Sequence, residues 1–275
     1  MKIISTLLIL QILLSCNNSQ SLKTTSNDRN YDTVLLNENF TINPKDILKD
    51  FNTWYSYAYY NTRLSQDFIA LDVDSVKIDK TTFLNQLMTK KAVAFKIRLF
   101  QGEPVYKLYK LNSRDESIKS TIQQMASIEM KNFKMEGKQI PEFNFTDLNG
   151  KNYTSSSTKG KLLVLKCWFI HCVACVKEFP ACNALVDKNK NRNDILFISL
   201  ARDQKKDLEK FLKITQFKYD VVPEMGNYMT DQLHVNEYPT LLLISKTGKI
   251  IKVTNSIEEL IPFIKKEEEH WAVSE

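Results

Sequence analysis

The sequence predicts an α/β fold, a central mixed sheet flanked by helices, preceded by an N-terminal α+β region. Residues Leu162–Trp168 form a near-continuous apolar run, the mark of a strand buried on both faces. A second such run covers 195–200, and segments of helical period follow each of them, at 173–187 with Pro180 inside and at 205–215. Near the end, β-like runs at 240–245 and 249–253 flank Thr247-Gly248 and lead into an amphipathic helix over 257–266.

The other elements follow in chain order. The N-terminal region, 34–134, carries a helix near 44–53, an aromatic stretch (Trp54, Tyr55, Tyr57, Tyr59, Tyr60) suited to packing at a domain face, and a short helix near 81–88. Two β-like runs, 92–100 and 105–111, are separated by Gln101-Gly102-Glu103-Pro104, a hairpin signal. Ile118, Ile122, Met125 and Ile128 share one stripe of a helix over 116–134. Glu136-Gly137-Lys138 breaks that pattern, so the second domain is taken as 135–275. Within it, 143–146 and 152–154 flank Leu148-Asn149-Gly150-Lys151, and Asn-Gly favours a tight hairpin. A short helix is expected over 226–234.

Composition narrows the function. The chain has 275 residues, is 43% hydrophobic and carries a formal charge of +6, with lysines and acids interspersed. No basic stripe with interleaved aromatics is present, so nucleic acid is not an expected partner. At the start, Lys2 precedes an apolar run over 3–14, too short for a bilayer-spanning helix of roughly 20 residues. It ends Leu13-Leu14-Ser15-Cys16, which resembles the bacterial lipobox. That resemblance implies a signal peptide over 1–15, lipid on Cys16, membrane anchoring and a periplasm-facing protein. Polar residues rich in Ser, Thr and Asn then form a tether over 16–33.

There are five cysteines: Cys16, Cys167, Cys172, Cys175 and Cys182. The last four crowd into sixteen residues. A structural disulfide framework spreads its bridges, whereas such clustering points to redox or metal chemistry. Cys172-Val173-Ala174-Cys175 lies between a buried strand and the start of a helix. Free N–H groups and the helix dipole stabilise an anion there, so Cys172 is the expected nucleophile. The i, i+3 spacing lets Cys175 close a disulfide with it, and Cys175 is the resolving thiol. The redox-active disulfide is the only prosthetic feature expected, with no organic cofactor and no metal. Cys167 and Cys182 are expected as buried spectators.

The segment from Leu163 through Cys167-Trp168-Phe169, Cys172-Val-Ala-Cys175 and Lys177-Glu178-Phe179-Pro180 resembles the thioredoxin superfamily, and within it the TlpA/ResA-like thiol–disulfide oxidoreductases. The resemblance covers about 138–268. It implies a thioredoxin-like fold, and it makes Tyr238-Pro239-Thr240 the cis-proline loop facing the disulfide. It also makes Glu178 a proton-handling carboxylate. Trp168, His171, Tyr238 and Pro239 become substrate-contacting candidates. His171 stands where the family often has Trp, and Ala174 where it often has Pro. Lys166 stands where thioredoxin has a buried acid; it either tunes a thiol pKa or snorkels to solvent. The function implied is reduction or exchange of disulfides in exported proteins, with electrons from a membrane thiol donor.

Three rivals compete with this reading. A thiolate site for copper or zinc would recruit His171, Cys172, Cys175 and Cys182. A peroxiredoxin-type peroxidase wants Thr or Ser three residues before its reactive Cys, and Phe169 stands there. A scaffold lipoprotein would keep the fold without the chemistry.

Overall fold

The computed structural model describes residues 39–272 except Ser113. The expected signal peptide, Cys16 and the tether lie outside the described residues.

The N-terminal part is built from α1 (Pro44–Ile47), α2 (Phe51–Asn61), β1 (Ile69–Leu71), β2 (Lys77–Ile78), α3 (Lys80–Met88), β3 (Ala92–Phe100), β4 (Glu103–Lys110) and α4 (Glu116–Met135). Asp50, Asp79 and Asp115 cap α2, α3 and α4 by accepting backbone N–H bonds at the free helix starts. The single helix expected near 44–53 is two helices, because Asp50 takes an extended conformation and starts a new one. The aromatic stretch runs along α2. Trp54 is in the core and Tyr57 packs edge-on against Phe95, while Tyr55, Tyr59 and Tyr60 face solvent. The sheet order is β2-β1-β4-β3, with β3–β4 an antiparallel hairpin and β1 parallel to β4. Phe83, Phe95, Tyr106, Ile118 and Ile122 join Trp54 in one apolar cluster.

The C-terminal part opens with the hairpin β5 (Asn144–Thr146) and β6 (Asn152–Thr154). Asp147 accepts from the N–H groups of Asn149 and Lys151, and Gly150 adopts a φ of +84° that a side chain would resist. Then come β7 (Leu162–Trp168), α5 (Val173–Lys177), α6 (Phe179–Lys188), β8 (Ile195–Ala201), α7 (Lys205–Leu212), β9 (Asp220–Val222), a π-helical turn (Tyr228–Gln232), β10 (Thr240–Ile244), β11 (Ile250–Thr254) and α8 (Ile257–Ala272). The sheet order is β11-β10-β7-β8-β9. β7, β8 and β9 are parallel, and β10 runs antiparallel to both β7 and β11. This mixed sheet, with β7 central, α5 to α8 on one face and the β5–β6 hairpin and π-helical turn on the other, is a thioredoxin-like α/β fold.

Strand parity sorts β7 between two cores. Leu163, Leu165 and Cys167 face the layer of Phe143, Phe145 and Met229. Leu162 and Val164 face Leu185, Leu260 and Ile264 on α6 and α8. The helix expected over 173–187 is broken at Glu178. Pro180 has no N–H to donate, and its ring crowds the carbonyl of Val176 one turn earlier.

The two parts touch along α4 and β11. Lys252 pairs with Glu136 at 3.3 Å and Asp67 at 3.4 Å. Ser65 donates to Glu259 at 2.5 Å, and Gln66 to the Glu259 carbonyl at 2.9 Å. Nearby, Glu129 is buried against Lys80 at 2.8 Å. Burial raises its carboxyl from 4.5 to about 7, with Lys80 opposing the rise. The folded chain therefore holds a proton that the unfolded chain has released across pH 4.5 to 7. Unfolding then releases that proton, so the Glu129 contribution makes stability fall as pH rises through that window. Glu129→Gln should flatten this slope, read as the difference between urea midpoints at about pH 5 and about pH 8. An unchanged slope would refute the assignment.

Candidate functional site

The site forms where β7 ends and α5 begins. Trp168 closes the strand, and the chain turns through Phe169, Ile170 and His171. The Cys172 N–H donates to the Phe169 carbonyl at 3.0 Å, and the Ile170 N–H to Asp203 at 2.8 Å, which pins this turn to the end of β8. Cys172 is the N-cap of α5. Its Sγ accepts from the Cys175 N–H at 3.2 Å. Cys172 and Cys175 are joined by a disulfide, with Cα atoms 5.2 Å apart.

The two sulfurs are not equivalent. Cys172 is 7% exposed and Cys175 is 0% exposed. Cys172 is flanked by exposed His171, Val173 and Ala174, and Val173 is 67% exposed. A nucleophile arriving from solvent meets the Cys172 sulfur first. Once the pair is fully reduced, the Cys175 N–H and the start of α5 stabilise negative charge on Cys172.

The Tyr238–Pro239 peptide bond is cis. Tyr238 packs in the same apolar cluster as Cys172 and Cys175. Its ring meets Phe169 edge-on at 5.4 Å, and the Arg202 guanidinium lies 5.8 Å from its centroid. Burial raises the Tyr238 hydroxyl pKa, with Arg202 opposing the rise. Pro239 itself is buried.

Trp168 is a correction. It was expected to touch substrate, but it is 0% exposed. Its ring stands edge-on to Phe179 at 5.0 Å and to Phe217 at 5.6 Å. The last residue of a strand buried on both faces has no route to the surface, so Trp168 supports the disulfide from beneath.

Lys166 does not snorkel. It is 0% exposed and pairs with Glu178 Oε2 at 2.5 Å. It has the strand parity of Val164 and so points toward α6 and α8. Glu178, at the break between α5 and α6, also accepts from the Ile257 N–H at 2.9 Å through Oε1, which starts α8. One carboxylate thus neutralises a buried ammonium and caps a helix.

Cys167 and Cys182 are both buried and free. Burial pushes the Cys167 thiol up to about 12 and the Cys182 thiol up to about 11. Cys182 belongs to the core of Leu162 and Val164, apart from the cluster of Cys172 and Cys175, and His171 faces solvent. The donor set for a thiolate metal site does not converge. Among the described residues, no group of three His, Cys, Asp or Glu is placed to hold a metal ion.

Arg202, Asp203 and Asn255 also shape the site and carried no local sequence signal. Asn255 donates to the Pro239 carbonyl at 2.8 Å across a gap of 16 residues.

Comparison with known proteins gives this arrangement a family. The model described as AhpC/TSA family matches residues 137–253. The thiol–disulfide oxidoreductase ResA of Bacillus thuringiensis subsp. konkukian (strain 97-27) is 35% identical over 138 residues, which is 48% of this chain and 79% of ResA. The chain belongs to the ResA-like thiol–disulfide oxidoreductases of the thioredoxin superfamily. ResA of Bacillus subtilis (strain 168) is 30% identical over 118 residues, 43% of this chain and 66% of that protein. Among solved structures, a thiol–disulfide oxidoreductase from Bacteroides fragilis NCTC 9343 covers 47% of this chain and 98% of its own, at a TM-score of 0.43 and 21% identity. In this ResA-like enzyme the N-terminal sheet and the whole of α4 lie before the region matched by the family model.

Two outcomes follow from the geometry. In reduced native protein, iodoacetamide at about pH 8 should modify Cys172 first and leave Cys167 and Cys182 untouched until unfolding, read by peptide mass spectrometry. Early labelling of either buried thiol would contradict the burial argument. Glu178→Ala should cost about 3–5 kcal/mol, because it strands the Lys166 ammonium, while Lys166→Met with Glu178→Gln should recover most of the loss. Urea denaturation tests this, and an unaffected single variant would rule out a stabilising pair.

Proposed function

We propose that this chain reduces or exchanges disulfides in exported proteins from a lipid-anchored position on the cell envelope. The observation that carries this reading is the asymmetric disulfide at the start of α5, with Cys172 outermost and Cys175 enclosed. Cys172 is the nucleophile. Its thiolate attacks one sulfur of a client disulfide, and the other client sulfur leaves as a thiolate that takes up a proton. Cys175, freed of its proton, then attacks Cys172 in the mixed disulfide. The client leaves with both sulfurs reduced, and the Cys172–Cys175 bond re-forms.

The two electrons passed to the client are restored by a membrane thiol donor, which reduces the Cys172–Cys175 disulfide in turn. Glu178 is the proton handler for Cys175, acting from the first turn beyond it. Tyr238, Pro239 and His171 form the rim against which the client lies. Lys166 acts on the thiols through Glu178, the carboxylate it holds. The chain divides near residue 135, with the redox domain following. Cys16 carries the lipid, and the segment up to residue 33 is the tether.

Insulin reduction by full-length protein with dithiothreitol tests the activity. Cys172→Ser should abolish turnover. Cys175→Ser should trap a mixed disulfide with the client, visible on a non-reducing gel. Equal turnover by wild type and Cys172→Ser would exclude this chemistry. The anchor is tested by metabolic labelling with a radiolabelled fatty acid. Cys16→Ser should lose the label, and a retained label would remove Cys16 from the assignment.

A further inference from the structure

The turn that joins β11 to α8 touches three separate parts of the molecule within three residues. Asn255 reaches the proline loop, Ile257 binds Glu178 at the break of the active-site helix, and Asn255 also meets α4 of the N-terminal part. The bonds at Asn255 form a directed series. Its Nδ2 donates to the Pro239 carbonyl at 2.8 Å and to Thr240 Oγ1 at 3.1 Å. Thr240 Oγ1 in turn donates to the Glu237 carbonyl at 2.7 Å. On the other side, Asn255 Oδ1 accepts from Asn132 Nδ2 at 2.8 Å.

Asn132 is only 7% exposed and lies on α4, 123 residues away in sequence. Its amide reinforces, from the α4 side, the way the Asn255 amide faces. With Asn132 donating, the Asn255 oxygen points to α4 and the NH2 group points to the loop. Without that donor, the Asn255 amide is held only from the loop side, by the Pro239 carbonyl and Thr240 Oγ1, and a rotated amide would set oxygen against the Pro239 carbonyl. Hydrogen bonds in such a partly buried chain reinforce one another.

We propose that Asn132 is a positioning residue for client binding: through Asn255 it fixes the Pro239 loop, so the N-terminal part sets how tightly the redox site holds a protein disulfide. This rests on the thiol–disulfide exchange proposed above. The loop presents backbone to the client, so its placement governs client affinity. Among the described residues the loop makes no hydrogen bond to the Cys172–Cys175 pair, so a shift of its backbone acts on the client more than on the sulfurs.

Two variants of the full-length protein test this. Asn132→Ala removes the donor. Asn132→Asp keeps the shape but replaces the donor with an acceptor, so the Asn255 amide must rotate to satisfy it. Both should raise KM for insulin about five-fold, the worth of one hydrogen bond, with kcat nearly unchanged. The rate with dithiobis(nitrobenzoate), a small disulfide that needs no loop, should stay at the wild-type value. Asn255→Ala should show at least the same rise, and adding Asn132→Ala to it should give no further loss.

Hydrogen exchange at the Thr240 amide, where β10 pairs with Cys167 of β7, supplies a readout without a client, and it should quicken in both Asn132 variants. An unchanged KM in both variants, or a small-disulfide rate falling in step with it, would overturn the proposal. So would unaltered Thr240 exchange. Wild-type protein inert toward insulin would instead defeat the client reading, and Thr240 exchange would still decide the positioning claim.

Discussion

The Glu178 carboxylate holds the redox domain together at the point where its chemistry is built. One oxygen neutralises the Lys166 ammonium, which is fully enclosed beneath the sheet surface. The other accepts the first free N–H of α8. A buried cation without a partner is among the costliest defects a core can carry. Lys166 therefore obliges the chain to keep a carboxylate at this spot, and Pro180 breaks the helix where that carboxylate turns inward. The break sets the angle between α5, which carries the disulfide, and α6, which packs on the sheet.

From that anchor the asymmetry of the sulfurs follows. α5 is short and is capped by Cys172, so the cap residue keeps a little exposed surface while Cys175, one turn on, is fully enclosed. Trp168 and Phe179 fill the space beneath and leave Cys175 no exposed surface. A reversible disulfide with one accessible end serves directional exchange: a client sulfur reaches Cys172, and only the enclosed partner is positioned to resolve the bond. Cys167 and Cys182 lie near this pair in sequence but are removed from it by burial, which keeps their thiols protonated.

The sheet itself was plain in the sequence. Leu162–Trp168 is a run of apolar residues with one interruption, and every residue of it is buried. Asn149-Gly150 announced its hairpin, and the stripe of Ile118 and Ile122 announced α4, because these signals need only neighbours within a turn. β1, β2 and β9 left no such trace. They are two or three residues long, and edge pairing rather than periodicity makes them strands. The helix expected across 173–187 hid its break because Pro180 is tolerated in a first turn, and only the inward role of Glu178 shows where one helix stops and the next starts.

What the sequence determined by itself is local: a buried strand, a pair of cysteines one helical turn apart, and a helix start at Cys172. These depend on spacing and on side-chain type. What only the tertiary structure decided is partnership. Lys166 finds Glu178 across 12 residues, Glu178 finds Ile257 across 79, and Asn132 finds Asn255 across 123. Whether Trp168 meets a client or a core belongs to the same class. Such outcomes turn on which surfaces the fold brings face to face, and no pattern along the chain records the direction in which a buried polar group must look for its partner.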